Sequence, residues 1–311
     1  MNKRKALIFG YSGFVGPYLA KELLGDGYDI IGSDIAKKPI DNLLMNYFVA
    51  DITNASQVNS LINKVKPDIV INLAAISSVA QSWKIPDVTM SVNVIGAINI
   101  LQAASTLEKK PKILFVGSSE EYEASNDPIG VNNSLNSNNP YGISKITQER
   151  IAELYRHRFG MKIFCVRPFN HTGVGQKDSF VMPSFCKQVA EIEKSGKSGT
   201  IVVGNIEVYR DFSDVRDIVR AYKMILSTEN DSIIYNVGSG KPYKISELLN
   251  YVVSLSSQNI EIVIDEKKFR PADTPFVCCD YSKIKEDLSW EPRFSIFDTI
   301  REMYNYYLSI V

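Results

Sequence analysis

Short apolar runs alternate with helical apolar patterns through the first half of the chain. Six runs predict strands, and the stretches between them repeat apolar residues every three or four positions, as amphipathic helices do. The predicted strands cover residues 5–9, 29–33, 47–50, 67–75, 112–116 and 162–167, and the predicted helices cover 18–24, a segment from 55 onward, 87–107 and 141–159. This alternation predicts an α/β fold, a doubly wound parallel sheet with helices on both faces.

The pattern loosens after residue 171. Helices are predicted at 180–194, 215–227 and 245–257 and near the end of the chain, with strands at 200–203, 234–237 and 260–265. The change predicts a larger domain over residues 1–170 and a smaller, mixed α/β C-terminal lobe over residues 171–311. We expect the segment 205–240 to return to the first domain.

Composition excludes several classes of protein. Of the 311 residues, 45% are hydrophobic and 23% charged, which is typical of a globular protein. The 35 basic side chains balance 35 acidic ones. The net charge therefore does not favour binding to nucleic acid or to an anionic membrane. No apolar run approaches the ~20 residues that span a bilayer. With no cleavable leader before the first strand, we expect a cytoplasmic protein without a membrane partner.

The cysteine and histidine residues give no sign of a metal site. Cys165, Cys186, Cys278 and Cys279 form neither a C-x-x-C pair nor a zinc spacing, and they predict reduced thiols. The chain has only two histidines, so a histidine-rich site is not expected.

A glycine-rich turn follows the first predicted strand. Gly10, Gly13 and Gly16 are spaced three residues apart and lead into the first helix. In a Rossmann domain this spacing lets the chain turn tightly and lets a pyrophosphate approach the amides of the helix N-terminus. The alternative is a merely tight connection between strand and helix.

Asp34 lies just past the end of the second predicted strand, about twenty residues after the glycines. A carboxylate there accepts hydrogen bonds from the adenosine ribose and repels a 2′-phosphate, which favours NAD(H). Lys37 and Lys38 follow closely, so NADP(H) is possible. Asp51 and Ile52 lie where an adenine is expected, but Asp51 could instead cap the helix that begins near residue 55.

Groups suited to proton transfer gather near the fifth strand. Tyr141 and Lys145 stand four residues apart on one helical face, so the ammonium can stabilise the phenolate. Such a phenol can exchange a proton with a sugar hydroxyl while a nicotinamide exchanges hydride at the same carbon. Hydroxyls and carboxylates follow strand 112–116 in the run Gly117-Ser-Ser-Glu-Glu-Tyr122, which suits an active site better than a core.

Three further features have open interpretations. Leu73, Ala74 and Ala75 end the fourth strand and leave space for a ligand at the carboxyl edge of the sheet. Asn93, within an apolar helix, is either a satisfied core amide or a group that positions Lys145. Arginines in or beside predicted loops could bind a diphosphate, although surface arginines are common. These are Arg210, Arg216 and Arg270.

Together these motifs resemble the extended short-chain dehydrogenase/reductase family of NAD-dependent epimerases and dehydratases, which act on nucleotide sugars. The glycine turn, Asp34, Asn93, Ser118, Tyr141 with Lys145, and the run 167–170 fall in that family's order over essentially the whole chain. The runs 167–173, 203–217 and 270–273 resemble the branch that handles GDP-sugars, and the run 117–122 looks closer to its reductases.

The resemblance assigns roles. Ser118 would bond the sugar's reacting oxygen, Tyr141 would be the acid or base, and Lys145 would bind the nicotinamide ribose and tune Tyr141. Residues implied to bind the cofactor are Gly10, Gly13, Phe14, Val15, Gly16, Asp34, Asp51, Ile52, Leu73, Ala74, Ala75, Asn93, Val116, Tyr141, Lys145 and Arg167. Residues implied to bind the substrate are Ser78, Ser119, Glu120, Asn170, Lys187, Val203, Asn205, Arg210, Arg270 and Asp273, with Arg210 and Arg270 on the diphosphate.

The resemblance implies NAD(P)H-dependent reduction of the 4-keto group of a GDP-4-keto-6-deoxy-hexose or related heptose by a homodimer. The alternatives are a GDP-sugar 4,6-dehydratase with Glu120 as base, a C4 epimerase, and a catalytically idle nucleotide-binding protein. Two residues depart from the family pattern. Glu123 stands where Gly is usual, which concerns the shape of the active-site loop. Asp34 stands where many reductases are basic, which concerns the choice of cofactor.

Overall fold

The computed structural model describes residues 3–39, 43, 46–230, 234–269 and 274–311. The strands are β1 (Lys5–Phe9), β2 (Asp29–Asp34), β3 (Asn46–Val49), β4 (Ile69–Asn72), β5 (Lys112–Val116), β6 (Ile163–Pro168), β7 (Asn170–Thr172), β8 (Gly199–Val203), β9 (Tyr209–Asp214), β10 (Ile234–Val237), β11 (Pro242–Lys244), β12 (Ile260–Ile264) and β13 (Phe276–Val277). The helices are α1 (Val15–Gly25), α2 (Ala55–Val65), α3 (Val79–Lys84), α4 (Pro86–Met90), α5 (Gly96–Ser105), α6 (Pro140–Phe159), α7 (Val181–Ser195), α8 (Val215–Ser227), α9 (Ile245–Ser254), α10 (Ser282–Leu288) and α11 (Ile296–Ile310). A π-helical turn, Ser91–Ile95, joins α4 to α5.

Seven strands form one parallel sheet in the order β10-β6-β5-β4-β1-β2-β3. The predicted doubly wound fold is confirmed. The strands are apolar nearly throughout because helices cover both faces, with α1 and α8 on one side and α2, α5 and α6 on the other. The strand order reverses between β1 and β4, and open sheets of this type bind ligands at the carboxyl edge beside such a reversal.

The segment Pro86–Ser105 corrects one expectation. By length and composition it could cross a bilayer, with a mean hydropathy of 1.3 over an 18-residue window, whereas we expected no run of that length. However, 56% of the window is buried inside the protein, where α5 packs against α2 and α6. Burial of this kind is typical of the central helix of a globular domain.

The C-terminal lobe has its own core. Helices α7, α9 and α11 pack around the parallel pair β8 and β12. Strand β9 pairs with β7, β11 and β13 in a small second sheet. In contrast, α8 packs against α1, and β10 pairs with β6 at the edge of the main sheet, so part of the second half of the chain lies in the first domain.

The short strands of the second sheet were not predicted. Strand β9 has the polar sequence Tyr-Arg-Asp-Phe-Ser-Asp, which lacks the apolar alternation of a strand. Asp211, Ser213 and Asp214 are nevertheless buried. For Asp211, backbone amides of distant segments satisfy the buried carboxylate. It accepts hydrogen bonds from the amides of Ser239 at 2.8 Å, Gly240 at 2.9 Å and Cys279 at 3.0 Å.

Apolar side chains are exposed on the outer helices. Trp83 is 63% exposed, Ile143 46% and Leu154 68%. Exposed apolar residues on neighbouring helices are compatible with the homodimer expected from the sequence. The dimer remains a prediction, which light scattering of the purified protein would test.

Candidate active site

Two close backbone approaches shape the glycine turn between β1 and α1. Gly10 has a φ of +75°, and its amide donates to the Ser33 carbonyl at 2.8 Å. A Cβ at Gly10 would collide with the backbone of Ala74, and one at Gly16 with the carbonyl of Tyr11. Glycine alone avoids both collisions. The turn therefore presents bare backbone at the start of α1, which fits the pyrophosphate of a dinucleotide.

Phe14 and Val15 begin α1. The Phe14 ring stacks on His171, with 6.2 Å between centroids and 12° between planes. This contact ties the glycine turn to β7. Burial lowers the pKa of His171, which favours its neutral form.

The Asp34 carboxylate is held against the glycine turn at the end of β2. One oxygen accepts from the Ser12 amide at 3.0 Å and the other from the Ala36 amide at 3.2 Å. The predicted position of this carboxylate, beside an adenosine ribose, is thus compatible with the structure. Lys37 and Lys38 are exposed in the segment that follows.

One interpretation of Asp51 is wrong. Asn54 caps α2, with its side chain accepting from the Ser56 and Gln57 amides at 3.1 Å. Asp51 instead accepts from Thr53, so the adenine contact is the interpretation that remains. Ile52 is buried in the core, so its side chain is not presented to a ligand.

Asn93 links the carboxyl edge of the sheet to α6. Its side chain accepts from the Ile76 amide at 2.9 Å, donates to the Ile76 carbonyl at 3.1 Å and donates to Ser144 Oγ at 2.8 Å. Asn93 lies in the π-helical turn, a feature that often marks functional sites. It is thus a satisfied buried amide that holds the loop after Leu73, Ala74 and Ala75 to Ser144, the residue before Lys145. That Asn93 positions Lys145 remains a prediction.

Ser118, Tyr141 and Lys145 come together as predicted. Ser118 follows β5, and its hydroxyl hydrogen-bonds the Tyr141 phenol. Lys145 Nζ donates to the Val116 carbonyl at 2.7 Å and lies 5.9 Å from the centroid of the Tyr141 ring. All three side chains are buried. We call these residues the trio.

The start of α6 explains where Tyr141 lies. Asn139 caps the helix by accepting from the Gly142 amide at 2.9 Å, and Pro140 occupies the first helical turn. Both residues favour a helix start at this position. Tyr141 therefore lies in the first turn, and Lys145 lies one turn later.

Burial shifts the pKa values of Tyr141 and Lys145. It raises the pKa of Tyr141, and the hydrogen bond from Ser118 opposes that rise. Burial lowers the pKa of Lys145 to about 8, while the negative charge of Glu121 opposes the fall. A buried ammonium and a protonated phenol connected to a serine hydroxyl can orient a carbonyl oxygen and supply its proton.

Glu120 is held by a residue that the sequence analysis missed. Glu120 Oε2 accepts from Asn139 Nδ2 at 3.0 Å, so the α6 cap also fixes this carboxylate. Ser119 and Glu120 are half-buried in the turn beside the trio. The only sequence signal for Asn139 was its position before Pro140, a common N-cap arrangement.

Arg167 corrects another prediction. Its guanidinium binds both oxygens of Glu149, donates to Tyr122 Oη at 2.6 Å and lies 3.5 Å from Glu121. The side chain is buried and fully engaged, so it cannot bind the cofactor directly. Because α6 supplies Glu149 and the turn after β5 supplies Glu121, this pairing was not visible in the sequence.

The residues predicted to contact substrate lie on several separate elements. Asn170 begins β7 and is half-buried. Ser78 caps α3 through the Gln81 amide at 3.2 Å. Val203 is buried in the lobe core, so the prediction of a contact through its side chain is wrong, whereas Asn205 lies at its surface. Arg270 and Asp273 lie outside the described residues.

The cations predicted to contact the substrate or its diphosphate have partners of their own. Lys187 Nζ pairs with Asp178 at 2.7 Å on the surface. Arg210 donates to the Tyr209 carbonyl at 2.8 Å. Arg216 binds both oxygens of Asp214. Substrate would therefore have to displace surface contacts of Lys187, while Arg216 serves to hold β9 and α8 together.

Comparison with known proteins agrees with this geometry. Residues 7–303 match the family described as GDP-mannose 4,6 dehydratase. The chain is 32% identical to GDP-6-deoxy-D-mannose reductase of Pseudomonas aeruginosa over 76% of this chain and 78% of that one. It is 30% identical to GDP-mannose 4,6 dehydratase 2 of Arabidopsis thaliana, over 97% and 86%.

A solved structure gives the same fold. The structure of RMD from Pseudomonas aeruginosa complexed with NADPH superposes with a TM-score of 0.85 at 29% identity, covering 99% of this chain and 100% of that one. The chain belongs to the GDP-mannose 4,6-dehydratase family, a group of NAD(P)-dependent extended short-chain dehydrogenases/reductases that act on nucleotide sugars.

Proposed function

We propose that this protein reduces the 4-keto group of a GDP-4-keto-6-deoxy-hexose or a related heptose. The observation that carries the proposal is the engagement of Glu120 with Asn139 beside a complete Ser118, Tyr141 and Lys145 trio. Reduction needs only an oxygen acid near the ketone, which the trio supplies. The similarity to GDP-6-deoxy-D-mannose reductase supports the same choice.

The residues would act as follows. The Ser118 hydroxyl and the Tyr141 phenol bond the ketone oxygen, and Tyr141 gives its proton to the developing alkoxide. Lys145 stays protonated beneath the phenol and stabilises the phenolate that remains. A reduced dinucleotide cofactor, with its pyrophosphate held at the glycine turn and its nicotinamide ribose at Lys145, would supply the hydride. A GDP diphosphate would be bound by cations at the lobe edge, among which Arg210 and Lys187 are the described candidates.

The main alternative is a GDP-sugar 4,6-dehydratase, with a C4 epimerase behind it. Elimination requires a base that removes the proton beside the transient ketone, and Glu120 is close enough to Tyr141 to raise the pKa of that phenol. The similarity to an Arabidopsis dehydratase over nearly the whole chain favours keeping this alternative. In a dehydratase, Glu120 would have to leave Asn139 to reach the substrate.

Cofactor consumption and one substitution separate these functions. We expect one NAD(P)H to be consumed for each GDP-4-keto-6-deoxy sugar reduced, with no reaction when the reduced cofactor is omitted. Glu120→Gln should keep measurable reduction, down about 10-fold through a lost positioning contact. Spectrophotometry at 340 nm, with mass spectrometry of the sugar, would measure both.

Glu123→Gln is the matched control, since Glu123 is exposed at the end of the same turn. It should behave as wild type. If GDP-mannose is dehydrated without added NAD(P)H and Glu120→Gln abolishes that reaction, the protein is a dehydratase. If neither sugar nucleotide is reduced or dehydrated, both of these functions are rejected, and the C4 epimerase and the idle binding protein are the alternatives that remain.

For the cofactor we propose a preference for NAD(H), carried by Asp34. Removing its carboxylate in Asp34→Ala relieves repulsion of a 2′-phosphate and removes a ribose acceptor, so the ratio of the NADPH to NADH dissociation constants should fall. Asp51→Ala, at the predicted adenine edge, should weaken both cofactors without changing their ratio. Titration of cofactor fluorescence would measure the constants. A wild-type protein that binds NADPH ten times better than NADH would contradict the assignment to Asp34.

A further inference from the structure

Glu121 is completely buried directly behind the trio. Its Oε1 accepts from the Ser118 amide at 2.7 Å, while the Glu120 amide donates to Ser118 Oγ at 3.1 Å. These reciprocal bonds form a capping box that closes the turn after β5. A Cβ at Gly117 would collide with Oε1, so glycine at that position makes room for the carboxylate. Glu121 therefore fixes the backbone from which the Ser118 hydroxyl projects.

The other carboxylate oxygen of Glu121 makes no comparable hydrogen bond to any described residue. Within the described part of the chain, Glu121 Oε2 is buried without a hydrogen-bond partner, and its nearest ion-pair contact is Arg167 Nε at 3.5 Å. Arg167 makes its hydrogen bonds to carboxylate with Glu149 instead. Since a buried ion pair is often no more stable than well-packed apolar residues, stability alone does not account for a second carboxylate here.

The charges around Glu121 point toward the trio. The titratable groups that face it are Tyr141, Lys145 and Glu149 of α6, Cys165 and Arg167 of β6, and Tyr122 of its own turn. Burial, together with repulsion by Glu149, raises the pKa of Glu121 to about 8. Arg167 is the cation that lowers the pKa of Glu121 most, and Lys145 acts in the same direction. In return, the charge of Glu121 is the largest influence that opposes the fall in the pKa of Lys145.

We propose that Glu121 is a positioning residue for the trio, which fixes Ser118 through its amide and, when ionised, keeps Lys145 protonated beneath Tyr141. The second role extends the pH range over which the enzyme is active to more alkaline values. Without it, the buried ammonium would lose its proton as pH rises past neutrality. The inference rests on the proposed function only for the choice of substrate, since the charge on Lys145 can be measured without one.

The Glu121→Gln substitution removes the negative charge of the side chain and keeps its size. The glutamine carbonyl can still accept from the Ser118 amide, but the negative charge is gone. Loss of that charge lowers the pKa of Lys145 and of Tyr141, both of which must stay protonated for proton donation. The alkaline limb of the kcat profile should therefore move to lower pH by roughly one unit, with little change in KM. Glu123→Gln, an exposed change in the same loop, should leave the limb in place.

Glu121→Asp tests the geometric role. The shorter side chain keeps a carboxylate but withdraws it from the Ser118 amide. We expect the alkaline limb to stay near that of wild type while kcat falls about 10-fold. Because this variant keeps the buried charge, it tests the geometric role alone, and it does so whether or not Glu121→Gln folds. Wild-type kcat in Glu121→Asp would overturn the geometric role.

A measurement on the free protein distinguishes this inference from the proposed function. NMR of ¹³Cε-labelled lysine, with Lys145 assigned by comparison with Lys145→Arg, follows the titration of that ammonium directly. The pKa of Lys145 should be lower by roughly one unit in Glu121→Gln than in wild type. An unchanged Lys145 titration in a folded Glu121→Gln protein would overturn the electrostatic role, whatever sugar the enzyme uses. Failure of wild type to reduce any GDP-4-keto sugar would instead reject only the proposed function.

Discussion

Tyr141→Phe should lower turnover by about 10²- to 10⁴-fold, the usual contribution of a general acid or base. The substitution removes only the phenolic oxygen, which hydrogen-bonds Ser118, and keeps the buried ring in place. Folding should therefore survive. Steady-state kinetics on whichever nucleotide sugar the wild type converts would measure the loss, and circular dichroism would establish that the variant is folded.

Tyr28→Phe is a matched control for that experiment. Tyr28 is also a buried tyrosine, but it precedes β2 at the opposite edge of the sheet from the trio. Its loss of a hydroxyl should leave turnover within about twofold, as expected for a change that touches no reacting group. Wild-type turnover in Tyr141→Phe would remove Tyr141 from the mechanism.

The second large effect concerns stability. Arg167→Leu should lower the free energy of unfolding by about 3–5 kcal/mol, the cost of removing one partner from a buried ion pair. Glu149 would lose both of its bonds from the guanidinium, and Glu121 would lose its nearest cation in the same buried cluster. Urea titration followed by circular dichroism would measure the difference.

The exposed pair Arg150 and Glu153, also on α6, provides the comparison. Its N to O distance is 3.1 Å, but both side chains are largely in solvent. Arg150→Leu should therefore change stability by less than about 1 kcal/mol. If Arg167→Leu unfolds at the same urea concentration as Arg150→Leu, the buried cluster contributes much less than its geometry indicates.

The elements predicted correctly are those whose signal is local. A fully buried parallel strand must be apolar throughout, and a helix on its face must be apolar every three or four residues, so the six strands of the first half were recognisable. The glycine turn was predictable because the collisions at Gly10 and Gly16 leave no other residue type possible. The order of the motifs also predicted that Ser118 lies close to Tyr141 and Lys145.

The errors have a common physical cause. The predictions for Arg167 and Val203 used motif position alone, whereas the direction of each side chain is set by elements far away in sequence. Arg167 turns toward Glu149 of α6, and Val203 turns into a core built with α7, α9 and α11. The same reason hid β9, whose buried Asp211 is satisfied only because segments near 239 and 279 supply its partners.

By itself, then, the sequence determined the parallel sheet, the glycine turn and the pair of Tyr141 and Lys145, because each is encoded by residue type at a short spacing. The tertiary structure alone decided the electrostatics around the trio. Glu121 was one of two adjacent glutamates in the sequence, and nothing in that run distinguishes the one that meets Asn139 from the one that faces Arg167 and Lys145. A charge acquires its role from burial and from its neighbours in space, which are set only when α6 and β6 pack against the turn after β5.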